Sequence, residues 1–448
     1  MSYKIAIVTQ TPLIKFNKNF YINKNIININ DLKPNEYQFT VGGVSNMEKV
    51  LIKKFLDDKF AKKIYWFSLN PNAPENIVWN KDIRIFNLKT SPKFLKNYTE
   101  FKNILWDNIH GIDSKSFSVQ NYLGYLMHNW IFTKKILEKA GNFDVYYIHD
   151  FQQLMMGSMI GPMKPAILRW HVPFIPENFN EKIKKFIKSG LEGFDGIIVS
   201  TKRDLEGLIR AGFNGLAFQV YPHIDPNEWK NPNSEDLSDF VHSYNINEDD
   251  FLILNVARMD RMKSQDLLIK AFAKFNKKVK NGKLMLIGNG SFTSSSSGLK
   301  SNKGKEWRNY LEKLAEELKI KDKIIFTGYL PTEKLYSAYK RADLFVLPSI
   351  IEGFGLTVIE AWLYEKCAIV SNNAGVAELI SEDINGLTFH PQNINDLYEK
   401  MLYAYLHSDF REDCGKNAKL SAKNCDISNT EPKIKDIINK VMDNFRKS

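Results

Sequence analysis

Short runs of apolar residues alternate along the chain with longer stretches in which apolar residues recur every three or four positions. The short runs are rich in β-branched residues and nearly continuous in apolar character, which is typical of parallel strands buried on both faces. The longer stretches have the period of amphipathic helices. Strands that alternate with helices of this length predict right-handed βαβ units, and therefore an α/β fold with doubly wound parallel sheets.

The alternation occurs in two sets, separated by the polar stretch 231–250. Because ligands of open parallel sheets bind outside the carboxyl ends of the strands, we expect two Rossmann-like domains that face an interdomain cleft. The expected domains are 1–230 and 231–426. Predicted strands lie at 3–9, 63–69, 145–149, 166–170, 196–200, 251–256, 283–287, 324–327, 344–347 and 368–371, and predicted helices at 45–60, 118–140, 264–280, 306–319 and 332–341.

Composition narrows the class of protein. The 448 residues carry a net charge of +11, which suits a lysine-rich surface or attraction to a phosphorylated ligand, an anionic membrane or nucleic acid. No RNA-binding or helix-turn-helix motif is present, so we do not expect a nucleic-acid partner. The three cysteines show no metal-ligand spacing. No run approaches a membrane helix and the N-terminus lacks a signal-peptide pattern, so we expect a cytoplasmic protein.

A glycine-rich turn after the predicted strand 344–347 carries the densest motif. Glycines let the backbone approach a ligand, and N–H groups at a helix start bind anions. Glu352 lies in the turn, and Glu360 lies one to two turns inside the following helix. Thr357-x-x-Glu360 also fits a capping box, which gives Glu360 a structural alternative. The full motif is Pro348-Ser-Ile-Ile-Glu-Gly-Phe-Gly-Leu-Thr-Val-Ile-Glu-Ala361.

Other polar groups also follow predicted strands. Arg258 and Lys263 follow strand 251–256, where they could converge on a diphosphate and stabilise it as it leaves, in place of Mg²⁺. A solvated basic loop is the alternative. Gly42-Gly43 opens a helix, and His149-Asp150 and His171 end successive strands. The polar segment 291–305 is a predicted loop that either closes over a substrate or is a solvated insertion.

Together these residues resemble the retaining glycosyltransferases of family 4 (glycosyl transferases group 1), which have the GT-B fold. Two departures stand out: Lys263 is followed by Ser264 where the family often has Gly, and residues 365–368 replace the usual small-Gly-x-Pro. A narrower resemblance to glycosyl-transferring trehalose synthases rests on His149-Asp150 with the following glutamines and on Arg169-Trp-His-Val172. The family motifs match the Glu-x7-Glu pair (Glu352, Glu360), the two cations (Arg258, Lys263), the glycine loop (Gly42-Gly43), His171, Gly288-Asn-Gly290 and Asn385-Gly-Leu387.

The resemblance implies roles for these residues. A hexose, which we expect to be glucose, would pass from a donor such as UDP-glucose or ADP-glucose to a sugar or glycan acceptor. The reaction would need neither a metal nor another cofactor. The N-terminal domain would bind the acceptor and the C-terminal domain the donor, with a helix in 427–448 crossing back. The implied catalytic residues are Glu352, His171, Arg258 and Lys263; the donor-binding residues are Glu360, Gly353, Phe354, Gly355, Leu356, Thr357, Gly42, Gly43 and Gly288; and the acceptor-binding residues are His149, Asp150 and Arg169.

Three alternatives stay open at this point. A glycosyltransferase with a lipid-linked or glycan acceptor would associate peripherally with a membrane, and the positive charge would then attract anionic lipid. A non-hydrolysing sugar-nucleotide epimerase has the same architecture. A catalytically inactive nucleotide-sugar-binding subunit belongs to a different class. Whether the chain forms a homodimer is also open.

Overall fold

The computed structural model describes residues 2–16, 26–40, 43–112, 116–290 and 303–447. Gly42 and most of the predicted loop 291–305 lie outside these ranges. The described residues divide into two compact units, 2–222 with 427–447 and 223–290 with 303–426. The domain limits expected from the sequence, at 230 and 426, stay a prediction.

The first unit is built on a sheet that has nine strands within the described residues, in the order β11-β10-β9-β8-β1-β5-β7-β6-β3. Six of them, in the order β7-β5-β1-β8-β9-β10, pair in parallel. Renumbered along the chain, this order is 3-2-1-4-5-6, that of dinucleotide-binding folds. The strands of the unit, including the separate antiparallel pair β2–β4, are β1 (Tyr3–Thr9), β2 (Ile14–Phe16), β3 (Ile26–Asn28), β4 (Tyr37–Phe39), β5 (Ala61–Leu69), β6 (Asn76–Val78), β7 (Ile83–Leu88), β8 (Val145–His149), β9 (Ala166–Trp170), β10 (Gly196–Val199) and β11 (Ala217–Gln219).

Four helices of the first unit, α2, α3, α5 and α6, are started by capping side chains. Ser118 and Asn121 form a capping box, and Thr201 accepts a hydrogen bond from the N–H of Asp204. The last helix of the chain packs its apolar side chains, among them Ile438, into the core beside the first strand. The helices are α1 (Gly43–Asp57), α2 (Pro92–Ile109), α3 (Val119–Leu137), α4 (Met156–Ile160), α5 (Glu181–Leu191), α6 (Lys202–Arg210) and, from the chain's end, α14 (Ile427–Phe445).

The second unit contains a parallel sheet in the order β14-β13-β12-β15-β16-β17. Renumbered from its first strand, this order is again 3-2-1-4-5-6. Its strands are β12 (Phe251–Val256), β13 (Gly282–Ile287), β14 (Ile324–Gly328), β15 (Leu344–Leu347), β16 (Ala368–Ser371) and β17 (Leu387–Phe389). Its helices are α7 (Ser234–Ser243), α8 (Gln265–Lys278), α9 (Lys303–Glu317), α10 (Thr332–Arg341), α11 (Leu356–Leu363), α12 (Ile394–Leu406) and α13 (Ser408–Ser421).

The predicted α/β class with parallel sheets is confirmed. The ten predicted strands all occur. The central residues of nine of them are buried, as a strand covered by helices on both faces requires, whereas those of β14, at the edge of its sheet, are half-buried. The sequence reading missed the six-residue strand β7 and the short strands of the first unit, such as β6, which runs antiparallel to β7. Among the described residues, no helix combines the length and the apolar character needed to cross a membrane.

Candidate active site

The loop after β12 carries the two predicted cations. Asp260 accepts a hydrogen bond from the N–H of Met262 at 2.9 Å and so starts the 3-10 turn that ends at Lys263. The side-chain amide of Gln265 donates to the carbonyl of Arg258 at 2.8 Å. Arg258 is half-buried. These two hydrogen bonds fix the loop backbone at Arg258 and just before Lys263. The positions of the two cations therefore depend on the conformation of the whole loop.

Gly288 lets this loop pass close to the end of β13. Its φ is 139°, and a Cβ there would lie 1.9 Å from the carbonyl oxygen of Ala257, the residue before Arg258. Its N–H donates to the carbonyl of Gly328 at 2.9 Å. The glycine is therefore explained by backbone packing beneath the loop, and its predicted contact with a donor stays a prediction.

Lys263 and Glu352 meet although 89 residues separate them. The ammonium of Lys263 donates to Oε2 of Glu352, and the hydroxyl of Ser349 lies 3.3 Å from the same oxygen. The N–H of Ile350 donates to the carbonyl of Met262 at 2.9 Å, which ties the two loops together. The side chains of Lys263 and Glu352 are 14% and 18% exposed, so the pair is largely shielded but open to a ligand.

The topology of the second sheet explains this meeting. β12 pairs directly with β15, and the strand order reverses between them. Arg258 and Lys263 follow β12, and Glu352 follows β15. Because the two strands are neighbours, their loops start side by side at the carboxyl edge of the sheet, and the reversal leaves a crevice there, which is where ligands of open α/β sheets bind.

The glycine-rich turn leads into α11 through a left-handed residue. Gly355 has a φ of 108° and is the N-cap of the helix. The carbonyl of Phe354 accepts a hydrogen bond from the N–H of Val376 at 2.8 Å, which fixes the turn from the other side. Gly353 and Phe354 are buried, whereas Leu356 and Thr357 are half-buried at the helix start. The first N–H groups of α11 can therefore bind an anion.

Glu360 does not belong to a capping box. The helix starts at Leu356 with Gly355 as its N-cap, so Thr357 already lies inside the helix. Glu360 instead accepts a hydrogen bond from the hydroxyl of Tyr339 at 2.6 Å. Burial raises the pKa of the Glu360 carboxyl to about 7, and the Tyr339 hydrogen bond opposes that shift. The capping alternative from the sequence is therefore wrong, while the ribose role of Glu360 stays a prediction.

The first unit brings together His149, Asp150 and His171 at the ends of β8 and β9. Asp150 has a φ of 67°, an unusual value for a residue with a side chain. Its Oδ1 accepts the backbone N–H of His171 at 2.8 Å, and the two imidazoles lie 3.0 Å apart between Nδ1 of His149 and Nε2 of His171. Burial raises the pKa of the Asp150 carboxyl to about 7, and backbone N–H donors lower it.

Arg169 lies beneath these strand ends. It is only 1% exposed, and its Nη2 donates to the carbonyl of Val220 at 2.7 Å. Burial lowers the pKa of the guanidinium, and the nearby acidic groups Glu48 and Asp150 raise it. Direct contact with an acceptor, as predicted from the sequence, would require Arg169 to leave this position, so the structure favours an indirect role.

The predicted residues thus form one group in each unit. The second unit holds Arg258, Lys263, Glu352 and Glu360 with Gly288 and the turn 353–357. The first unit holds His149, Asp150, Arg169 and His171, and Gly43, which begins α1 with a φ of 62°. Sequence reasoning missed Tyr339 and Glu48. Glu48 left a trace, because it interrupts the buried apolar face of α1 with a charged residue.

A family model described as "Glycosyl transferases group 1" matches residues 238–421. The matched residues lie within the second unit, which therefore contains a group 1 domain. The predicted resemblance to that group and to trehalose synthases is confirmed, and membership of family 4 stays a prediction.

The chain is also similar to two curated relatives and to one solved structure. An uncharacterized glycosyltransferase of Methanocaldococcus jannaschii is 30% identical over 45% of this chain and 47% of its own length. A trehalose synthase of Thermococcus litoralis is 28% identical over 62% of this chain and 64% of its own length. The chain thus spans between about half and two thirds of these relatives.

The solved structure "Trehalose-6-phosphate from E. coli bound with UDP-2-fluoro glucose" has a TM-score of 0.78 and 16% identity, and it covers 98% of this chain and 99% of its own. At that identity the likeness concerns the fold. The predicted GT-B fold class, with two Rossmann-like units, is confirmed.

Proposed function

We propose that the chain is a retaining glycosyltransferase that transfers a hexose from a nucleoside diphosphate sugar to a sugar acceptor. Glucose is the hexose that we expect. The observation that carries the proposal is the Lys263–Glu352 pair at the strand reversal of a group 1 domain. The relative named trehalose synthase and the neighbour bound with UDP-2-fluoro glucose support a glucosyl donor and a sugar acceptor.

The second unit would bind the donor. Arg258 and Lys263 carry two positive charges that can stabilise the leaving diphosphate, and the N–H groups at the start of α11 add donors for its oxygens. Glu360 would accept hydrogen bonds from the ribose hydroxyls, with Tyr339 holding its carboxylate. Glu352 would contact the transferred sugar once the diphosphate takes its place beside Lys263.

The first unit would bind the acceptor and contact the transferred sugar through His171. Asp150 and His149 hold the backbone and ring of His171. The leaving phosphate would take the acceptor proton in a front-side displacement, so the step needs no enzymic nucleophile. Because the protein supplies the cations, we also propose that the reaction requires no metal.

Proton NMR of the purified chain with UDP-glucose or ADP-glucose and free glucose, without added metal, tests the proposal. A new α-anomeric signal from a non-reducing disaccharide would support both retention and a trehalose-type product. Donor hydrolysis without disaccharide would keep the donor assignment and move the acceptor to another class. If no nucleotide sugar, GDP-mannose included, were consumed, the catalytic proposal would fall in favour of an inactive binding subunit.

A second candidate acceptor, a lipid-linked glycan at a membrane surface, is favoured by an exposed apolar stripe on α3. Val119, Leu123 and Trp130 lie on one side of the helix and are 69%, 53% and 47% exposed. Such a stripe on a protein of net charge +11 suits an anionic bilayer. Sedimentation with anionic vesicles should then capture the wild type and much less of Leu123→Lys, whereas neutral vesicles should capture neither.

A further inference from the structure

A buried polar chain runs from α1 to the end of β9. Glu48, on α1, is 0% exposed, and within the described part of the chain neither of its carboxylate oxygens has a hydrogen-bond partner. Its Oε2 lies 3.8 Å from Nε2 of His149, and Nδ1 of the same imidazole lies 3.0 Å from Nε2 of His171. A charged group left in this state inside a protein is costly, so its retention calls for a reason.

The geometry distinguishes a hydrogen-bond chain from a metal site. One ligand atom from each of these three residues lies within 4.8 Å of the others, as a metal site would need. However, His149 turns different ring nitrogens toward Glu48 and His171, and one ion cannot bind both nitrogens of a single imidazole. The guanidinium of Arg169 also lies close enough to Glu48 to affect its ionisation, and this buried cation opposes a second one. The arrangement therefore favours protons over a metal.

We propose that Glu48 and His149 are positioning residues that set, through this chain, which ring nitrogen of His171 carries the proton. The 3.8 Å gap between Oε2 of Glu48 and Nε2 of His149 must shorten by about 0.9 Å to become a hydrogen bond. The proposal rests on the proposed function only in assigning His171 to the transferred sugar.

The chain has two self-consistent states. With Glu48 protonated, its O–H donates to Nε2 of His149, the Nδ1–H of His149 donates to Nε2 of His171, and His171 carries its proton on Nδ1. With Glu48 ionised, every hydrogen bond reverses and Nδ1 of His171 becomes an acceptor. The change moves the Glu48 proton to His149, the His149 proton to His171, and the Nδ1 proton of His171 to water or a ligand, so one proton leaves in total.

The charged surroundings place this change near neutral pH. Burial raises the pKa of the Glu48 carboxyl to about 8, and Arg169 on β9 lowers it. Tyr147 on β8 faces the same space, and burial together with Glu48 raises the pKa of its hydroxyl, so it stays neutral. Asp150, whose pKa burial raises to about 7, bonds the backbone N–H of His171. The donor or acceptor character of His171 should therefore reverse as pH passes about 8.

Long-range ¹H–¹⁵N correlation spectra of full-length chain with ¹⁵N-labelled histidine test this directly, because they separate the two neutral tautomers of each ring. The protein has eight histidines, and His149→Asn and His171→Asn assign the two signals. In wild type we expect His171 to carry its proton on Nδ1 below pH 8 and on Nε2 above it. If no histidine signal of the wild type changed its tautomer across this range, the proposal would be overturned, even if no variant folded.

Glu48→Gln sharpens the test. The amide N–H₂ can donate to His149 as the neutral acid does, so this variant should hold His171 in the Nδ1–H form at every pH at which the ring is neutral. The matched control is Glu431→Gln, which changes a buried glutamate on α14 that pairs with Lys435. In this control, the His171 tautomer should change with pH as it does in wild type. If Glu48→Gln titrated like wild type too, the proposal would fail. These spectra need no substrate, so their result stands apart from whether the chain consumes a nucleotide sugar.

Discussion

At the residue scale, we propose that the Lys263–Glu352 pair couples donor binding to catalysis. Each side chain neutralises the other in the structure, and a diphosphate that reaches Lys263 would compete with the Glu352 carboxylate for the ammonium and release it toward the sugar. Removing either partner would take this ion pair away from the other side chain, which is largely shielded from water, and that is costly. Variants of the two residues should therefore not behave additively.

Lys263→Ala should lower kcat by ~10²-fold or more, because one charge that stabilises a leaving group contributes a few kcal/mol at the transition state. Steady-state donor kinetics measure this. Lys270→Ala is the control, since it removes an equal charge that pairs with Asp266 on α8 and should leave kcat unchanged. A kcat within threefold of wild type for Lys263→Ala would show that the leaving-group role is wrong.

Glu360→Ala should act on donor KM more than on kcat, because ribose contacts are equal in the ground and transition states. The carboxyl pKa of about 7 adds a pH dependence. Only the ionised carboxylate accepts two ribose hydroxyls, so donor KM should rise in wild type as pH falls through about 7. Glu360→Gln should lack that step. A pure kcat loss with unchanged donor affinity would contradict the ribose assignment.

Glu48→Gln should stabilise the protein more at pH 8 than at pH 5. The folded state holds the Glu48 proton up to about pH 8, whereas an unfolded carboxyl releases it near its ordinary value of 4.5. The folded state therefore binds more protons between these values, and wild-type stability falls as pH rises through that window. Glutamine loses no proton. Thermal unfolding at both pH values measures the difference, and an equal effect at both would count against a raised pKa.

At the element scale, the cation loop depends on the close approach of β12 and β13 ends. Gly288→Ala should lower the free energy of unfolding by about 2 kcal/mol or more, because a Cβ meets the Ala257 carbonyl and the φ of 139° is strained for alanine. Gly141→Ala is the control, since a Cβ there meets nothing within 4 Å. Denaturant unfolding compares them. Equal stability of the two variants would mean that the loop relaxes without cost.

The elements also show where sequence reasoning stopped. The ten predicted strands and the predicted helices were found because burial on both faces or on one face leaves a periodic pattern, whereas the six-residue strand β7 and the 18-residue helix α2 were missed. β6 and β17 have three residues each, too few for a period to show. The capping motif at Thr357 misled for a related reason, since the helix start depends on the left-handed Gly355 and not on the side chain that resembles a cap.

At the scale of the whole molecule, the two ends of the chain fold as one unit. The hydroxyl of Tyr3 donates to Asn439 at 2.9 Å, and Lys435 pairs with Asp58 at 2.8 Å. Ile438 is fully buried in the core that also holds β1. The first unit is therefore complete only when the last helix has been made, even though the group 1 domain lies between them in the sequence.

Ile438→Ala should lower the free energy of unfolding by about 2–5 kcal/mol, the usual cost of truncating a buried isoleucine. Leu420→Ala is the control, because Leu420 is 61% exposed on α13 and should change little. Thermal melts read out both. If Ile438→Ala had the same melting temperature as wild type, α14 would not be part of the core of the first unit.

By itself the sequence determined the α/β class, the two sets of strands and the identity of the chemistry-bearing loops. Those features follow from local burial and from turn chemistry, which neighbouring residues record. The tertiary structure decided which side chains meet: Lys263 with Glu352, Glu360 with Tyr339, and Glu48 with the histidines of β8 and β9. Such pairs lie on elements distant in the chain, and only the strand order brings them together, so no local pattern could record them.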